Sequence, residues 1–254
     1  MNGLKRCLSI KKIMKQGLKN LKKGNNHMIK IIDVSKHNGN IDWKKVKAAG
    51  IKAVIIRAGY GKNNIDSRFK ENIKGAIAAG LPVGIYWFSY AYTVEMAKKE
   101  AEYCIAAIKP YKVTLPVYFD WEYDSMDYAK KNGVTPNKKL ITAMNKAFCV
   151  KIKAAGYKPG FYFNMDYKLN FIDVSELKAN GYSTWFARYT SIKQSGYDIW
   201  QYSETGKVNG INDSNVDMNY LLKESLLKTN KETWPRCASF VSTDLILNTE
   251  SMLD

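Results

Sequence analysis

Leu115-Pro116-Val117-Tyr118-Phe119-Asp120-Trp121-Glu122 is an apolar run of strand type that ends in two carboxylates flanking a tryptophan. Alternate side chains of a strand point to the same face, so Asp120 and Glu122 share one face at its C-terminal end. Neighbouring carboxylates disfavour each other's ionisation. One of the two is expected to hold a proton near neutral pH, and a carboxyl that keeps its proton serves as a general acid. The bland alternative, an exposed strand end with two solvated acids, weighs about as much on this short motif alone.

Outward from this stretch the chain alternates strand and helix. Upstream, strands are expected at Ile29–Ser35, Ala53–Tyr60 and Pro82–Tyr90, with helices at Asp42–Ala49, Arg68–Ala79 and Val94–Ile108, the first and last capped by Asp42 and Thr93. Downstream, a polar loop leads to Thr135-Pro136, read as N-cap and first helical residue of a helix to about Ala155, then a fifth strand at Gly160–Asn164. Three helix-to-strand joints share one syntax, Ala48-Ala49-Gly50, Ala78-Ala79-Gly80 and Ala154-Ala155-Gly156, in which the glycine closes the helix and a strand follows at once. Repeated units of this kind give parallel strands with helical crossovers. After a short helix near Val174–Asn180 come strand-like segments at Ser183–Ala187, Tyr197–Tyr202 and Asn215–Asn219, nearly bare of helix. Eight parallel-type strands close naturally into a barrel, so the fold class is α/β, an irregular TIM-type barrel of five βα units followed by three strands with little helix. An open doubly wound sheet is the alternative, but no glycine-rich phosphate loop follows the first strand.

The 254 residues are enough for one such barrel. The net charge of +17 is uneven: residues 1–27 hold eight basic residues and no acid, residues 225–254 carry −1, and 28–224 keep +10. The surplus favours an anionic partner, such as an anionic cell-wall polymer; no zinc-finger spacing or other nucleic-acid motif supports nucleic acid. Cys7, Cys104, Cys149 and Cys237 are far apart; Cys104 and Cys149 sit in apolar helical patterns and read as buried thiols, and no disulfide framework, metal site or cofactor is expected. No apolar run is long enough to span a membrane, and no secretory signal is visible.

Residues 1–27 could form a basic amphipathic helix. The stronger reading takes Met28 as the start, since it directly precedes the first strand and Lys22-Lys23-Gly24 can be encoded by a purine-rich, ribosome-binding type of run. The division expected is therefore 1–27, a disordered or frayed basic extension; 28–224, a catalytic barrel; and 225–254, a tail or linker.

Chemistry in such a barrel sits at the C-terminal strand ends. Strand one ends in Asp33, strand four in Asp120 and Glu122, and strand eight carries Asp217. Closure makes the first and last strands neighbours, so the four carboxylates converge on one mouth. Aromatics crowd the same ends: Tyr86, Trp87, Phe88, Tyr90 and Tyr92, then Phe161, Tyr162 and Phe163, then Trp185, Tyr189, Trp200 and Tyr202. Alternate positions fill the barrel; those facing the mouth offer flat apolar faces to sugar rings. Paired acids with aromatics and no metal ligands suit glycoside cleavage.

With these motifs in hand the sequence resembles glycoside hydrolase family 25, the Chalaropsis-type lysozymes of bacteria and phage. The resemblance covers about residues 29–222. It is carried by Asp33-Val34-Ser35-Lys36-His37-Asn38-Gly39, Gly84-Ile85-Tyr86-Trp87-Phe88, Asp120-Trp121-Glu122, Gly156-Tyr157-Lys158-Pro159 with Tyr162, Trp185-Phe186-Ala187-Arg188-Tyr189, Trp200-Gln201-Tyr202 and Val216-Asp217-Met218-Asn219. Each is weak alone; their order and spacing together are specific. The resemblance implies a muramidase that cleaves the β-1,4 bond between N-acetylmuramic acid and N-acetylglucosamine of peptidoglycan, with retention and substrate assistance by the 2-acetamido group. By motif, Glu122 would be the general acid/base and Asp120 the second catalytic carboxylate. Asp33 and Asp217 would hold substrate and tune the pair's charge, and Arg57, Tyr86, Tyr162, Gln201 and Trp185 would bind substrate. Whether Asp120 orients the acetamido group or attacks directly stays open. Trp87 stands where the family more often has His, and neither end shows a recognisable wall-binding repeat. Without a visible signal peptide, phage-type release from the cytoplasm or another export route is expected to bring the enzyme to the wall. The competing class is a non-catalytic peptidoglycan-binding protein that uses the same cleft.

Overall fold

The computed structural model describes residues 28–228. Their strands are β1 (Ile29–Val34), β2 (Val54–Tyr60), β3 (Asn64–Ile65), β4 (Val83–Phe88), β5 (Val117–Asp120), β6 (Pro159–Asn164), β7 (Ser183–Ala187), β8 (Ile199–Val208) and β9 (Ile211–Leu221). Eight of them close a barrel in the order β1-β2-β4-β5-β6-β7-β8-β9, with β9 paired back to β1, while β3 is a two-residue ribbon on the end of β2. The helices are α1 (Trp43–Ala48), α2 (Phe69–Ala78), α3 (Val94–Ile108), α4 (Tyr123–Lys131), α5 (Lys138–Ala154) and α6 (Val174–Ala179). The barrel is thus five helix-bearing units followed by three strands without a helix between them, as expected. The readings of residues 1–27 and of most of 225–254 lie outside the described residues. Within them, a 3-10 turn at Glu224–Leu226 tucks Leu226 against the barrel's inner cluster.

The local syntax behaves as chain chemistry dictates. Asp42 accepts the Lys45 N–H at 3.1 Å and Thr93 accepts the Met96 N–H at 3.2 Å. Gly50, Gly80 and Gly156 all take the positive φ that closes a helix without a Cβ clash. Cys104 and Cys149 are buried free thiols.

Three details differ from the sequence reading. Residues 123–131, read as polar loop, form α4: Ser125, Met126 and Ala129 make a narrow buried stripe, Asp124 lies in the first turn, and Lys130 and Lys131 lie in the last, where each charge opposes the helix dipole. Helix α5 is capped by Asn137, which accepts the Leu140 N–H at 2.9 Å, so Thr135 and Pro136 precede it. The strands are not all parallel, because β9 runs antiparallel to both β8 and β1. Its cause is Val208-Asn209-Gly210-Ile211, a two-residue Asn-Gly hairpin in which Val208 pairs with Ile211 and Gly210 has φ 101°.

Period-two alternation sorts the barrel strands into two apolar layers. Ile32, Val34, Val54, Ile56, Ile85, Trp87, Val117, Phe119 and Trp121 face outward into the core shared with the helices. Ile31, Ala53, Ile55, Tyr86, Tyr118, Tyr162, Trp185, Ile199 and Leu221 face inward and fill the barrel. Gly160 belongs to this packing: a Cβ there would stand 2.4 Å from the Tyr118 ring. The inward positions nearer the C-terminal ends of β1, β2 and β5 are Asp33, Arg57 and Asp120, so the alternation that fills the barrel with apolar residues also delivers polar ones to its mouth.

Candidate active site

At the C-terminal mouth lies a cleft of about 500 Å3. Its lining includes Asp33, Arg57, Tyr86, Asp120, Glu122, Tyr162, Trp185, Gln201 and Asp217, so all nine residues singled out in the sequence meet in one place. Strand register brings them there. Asp33 pairs across with Asp217, Arg57 with Tyr86, and Tyr162 with Trp185.

Strand β5 ends at Asp120, and Glu122 is already the N-cap of α4. Its backbone stays extended (φ −128°, ψ −166°), so the two-residue spacing still turns both carboxyls to the cleft. Trp121, between them, points the other way and donates its indole N–H to the Ala91 carbonyl at 2.8 Å. The Glu122 N–H donates to Ser125 Oγ at 3.0 Å, and that hydroxyl donates to the Ser89 carbonyl at 2.6 Å. The acid pair is therefore anchored to the segment after β4.

Four carboxyls with little access to water face one another here. Burial raises the pKa of all four and is the largest cause in each. Asp120 lies well above the usual range, through burial and then repulsion from Glu122; Glu122 is pushed up to about 7. Asp33 is likewise well above its usual range, through burial and then Asp217, and Asp217 is at about 6. Carboxyls hydrogen-bond within each pair, so each holds a shared proton on the approach to neutrality.

The second pair sits in a network of amides. Asp33 Oδ2 accepts from Asn219 Nδ2 at 2.8 Å and from Gln201 Nε2 at 3.0 Å. Gln201 Oε1 accepts from the hydroxyls of Tyr162 (3.0 Å) and Tyr189 (3.2 Å), and Asn219 Oδ1 from the Trp185 indole N–H at 2.7 Å. Tyr162 and Trp185, chosen as substrate contacts, thus also hold this network, and Trp185 is only 2% exposed at the cleft floor. Arg57 donates from Nε to Asp66 Oδ2 at 2.8 Å, while its Nη2 is buried without a protein partner among the described residues. Asp120 Oδ1 is buried without one as well.

Several residues that line the cleft or hold its walls escaped the sequence reading. Asn219 and Asn38 stood inside quoted motifs; the signal that could have marked Asn219 is its place two residues from Asp217 on the same face of β9, while Asn38 lies in the 3-10 turn after β1. Asp66 had no such signal: it is buried, orients Arg57, and accepts the backbone N–H groups of Lys36 and Arg68 at 3.0 and 2.9 Å. Glu204, Thr205 and Asn215 reach the rim because the β8–β9 hairpin is longer than expected. Among the described residues no group of three or more His, Cys, Asp and Glu is disposed to hold a metal ion, and no helix is long and apolar enough to cross a membrane.

A closed βα barrel with buried paired carboxyls at its C-terminal mouth defines a glycosidase-type site. The chain belongs to the glycosyl hydrolases family 25, whose model matches residues 32–211. Among curated proteins it is similar to an autolytic lysozyme of Clostridium acetobutylicum, 28% identical over 193 residues, which cover 73% of this chain and 54% of that one. The chain thus spans about half the length of that relative. Among solved structures, the modular autolysin LytC of Streptococcus pneumoniae superposes with a TM-score of 0.65 at 29% identity, covering 78% of this chain and 47% of that one. The CTP1L endolysin superposes with a TM-score of 0.64 at 26% identity, covering 78% and 67% respectively.

Proposed function

We propose that this chain is a peptidoglycan hydrolase that cleaves the β-1,4 bond between N-acetylmuramic acid and N-acetylglucosamine, with Glu122 as general acid/base and Asp120 as the second catalytic carboxylate. The observation that carries the reading is the buried Asp120–Glu122 pair at the end of β5, in which burial raises both carboxyls, Glu122 to about 7, so that the pair retains a proton to give. Donation of that proton to the glycosidic oxygen lets the leaving sugar depart neutral. The free Asp120 Oδ1 suits acceptance of an acetamido N–H. That contact favours the ionised form of Asp120, draws the shared proton to Glu122, and turns the acetamido oxygen toward the anomeric carbon. Attack by that oxygen and then by water, activated by the now ionised Glu122, retains the configuration.

Asp33 and Asp217 keep negative charge opposite the oxocarbenium-like centre, and Arg57, Tyr86, Tyr162, Gln201 and Trp185 shape the sugar-binding walls. The catalytic unit is residues 28–224, flanked by the segments 1–27 and 225–254. Its place of action is the bacterial cell wall, and the surplus of +10 on 28–224 supports contact with anionic wall polymers.

The test is mass spectrometry of digested peptidoglycan with wild type and Glu122→Gln. Wild type is expected to release products with reducing N-acetylmuramic acid ends, and the variant to lose about 10²–10⁴-fold in rate while keeping its fold. Reducing N-acetylglucosamine ends, or a variant as fast as wild type, overturn the assignment.

A further inference from the structure

We propose that a second cavity, which shares a wall with the catalytic cleft, receives the peptide stem that peptidoglycan carries on its muramic acid residues. The proposal rests on the muramidase reading and adds a site for the non-sugar part of the substrate. The cavity measures about 490 Å3 and lies between the β2–β3 turn and α4. Tyr60, Tyr90 and Tyr128 wall it, packed edge to face at 6.5 and 5.1 Å between ring centroids. Phe88, a cleft residue, packs on Tyr90 at 5.3 Å, and Arg57, another, lies 5.8 Å from the Tyr60 ring centre. The cavity is therefore adjacent to the cleft, separated from it by these two side-chain contacts.

The rim is held in place. The Gly61 N–H donates to the Phe88 carbonyl at 2.9 Å, and the Gly61 carbonyl accepts the indole N–H of buried Trp87 at 3.3 Å. The Tyr90 N–H donates to Glu100 Oε1 at 3.0 Å.

Charge identifies the occupant. Asp124, Asp127, Lys62 and Lys131 line the cavity, and among the described residues none of the four has an ion-pair or side-chain hydrogen-bond partner. Where opposite charges come close elsewhere they pair, as in Lys98–Glu95, Lys99–Glu102 and Lys146–Glu176, whereas here both signs line one cavity without pairing. A neutral glycan gains little from four unpaired charges, and a polyanion is repelled by the two aspartates. A short peptide with free carboxylates, a free side-chain amine and aliphatic stems matches both signs and the tyrosine faces.

The full chain can be titrated with a synthetic stem tripeptide, alanyl-γ-glutamyl-lysine, by ligand-observed NMR, and assayed on stem-bearing walls against glycan strands stripped of stems by an amidase. Asp127→Asn and Tyr128→Ala alter the cavity and touch none of the four cleft carboxyls; Asp127→Asn changes one exposed side chain and leaves the core untouched. The tripeptide is expected to bind saturably and about 5–10-fold more weakly to the double variant, which shows a similar rise in KM on stem-bearing walls, with kcat and all stripped-glycan kinetics unchanged. Absence of saturable tripeptide binding overturns the proposal. Equal losses on both substrates overturn it too, and make the cavity a glycan subsite. If wild type releases no reducing N-acetylmuramic acid from either substrate, the muramidase reading fails, and the tripeptide titration still decides the cavity.

Discussion

The cleft holds two carboxyl pairs built in opposite ways. Asp120 and Glu122 come from one strand end, two residues apart, and Asp120 Oδ1 finds no partner among the described residues. Asp33 and Asp217 come from the first and last strands, meet only because the barrel closes, and are served by two amides on Asp33 Oδ2. Amide donors favour an ionised carboxylate, yet burial outweighs them and Asp33 still lies well above its usual range. The amides therefore fix where the second pair's proton and charge sit. Among the described residues no side-chain amide donates to the first pair, so its proton is free to move onto a substrate. One pair is a proton source; the other is an oriented electrostatic wall.

The contrast can be broken first at the mobile pair. Asp120→Asn is expected to lower wall lysis by about 10²–10⁴-fold, with thermal stability close to wild type because burial already holds Asp120 neutral and Asn keeps its shape. Turbidity clearing and calorimetry on one preparation check both halves, and retained lysis would sink the pairing. The oriented pair should respond in the other currency. Asn219→Leu leaves the Trp185 indole N–H without its acceptor and removes one donor from Asp33. A loss of about 2–3 kcal/mol in unfolding free energy is expected, with the lysis rate falling less than in Asp120→Asn.

pH sharpens the same comparison. A carboxyl whose folded pKa lies above its unfolded value binds more protons folded than unfolded between the two. The stability it contributes is fully present below about pH 4 and is lost as pH rises through the folded value. With Asp217 at about 6 and Glu122 at about 7, unfolding temperature is expected to fall between pH 5 and 8. Glu102, held down at about 2 by Lys99 and Lys151, is already ionised across that window. Lysis should decline above about pH 7 as Glu122 loses its proton, and Glu122→Gln should flatten part of the stability slope.

The smallest effect is expected at Glu100, which lies outside the cleft. Burial raises it to about 7, and it accepts the Tyr90 N–H in the segment whose Ser89 and Ala91 carbonyls hold Ser125 and Trp121. Glu100→Gln keeps an acceptor and removes the buried charge. A lysis rate within about twofold of wild type at pH 6, with a shallower stability decline toward pH 8, is the expected outcome; a tenfold loss of lysis at pH 6 would contradict it.

Legibility in the sequence follows how locally each feature is built. Asp120-Trp121-Glu122 could be read because the two-residue alternation of an extended chain is fixed within three residues, and it survives even though β5 stops at Asp120. The glycine-closed helices and the count of eight barrel strands were legible for the same reason. Helix α4 was not, since its buried face is three residues wide among charges. The antiparallel return of β9 was written in Asn209-Gly210, but a hairpin signal shows its meaning only once its two strands are known to reach Val208 and Ile211.

By itself, then, the sequence determined the strand and helix rhythm, the two layers of apolar residues, and a carboxyl pair at one strand end, because each depends on spacing along the chain. The sequence also placed Asp33 and Asp217 at one mouth, but only the tertiary structure decided that they stand in direct register, that Gln201 and Asn219 both donate to Asp33, and that Asp66 anchors Arg57. Those contacts depend on barrel closure and on a register that shifts between Gln201 and Ser203. A register is set by the sum of packing around the barrel, and a slip of one residue would turn every one of these side chains to the other face.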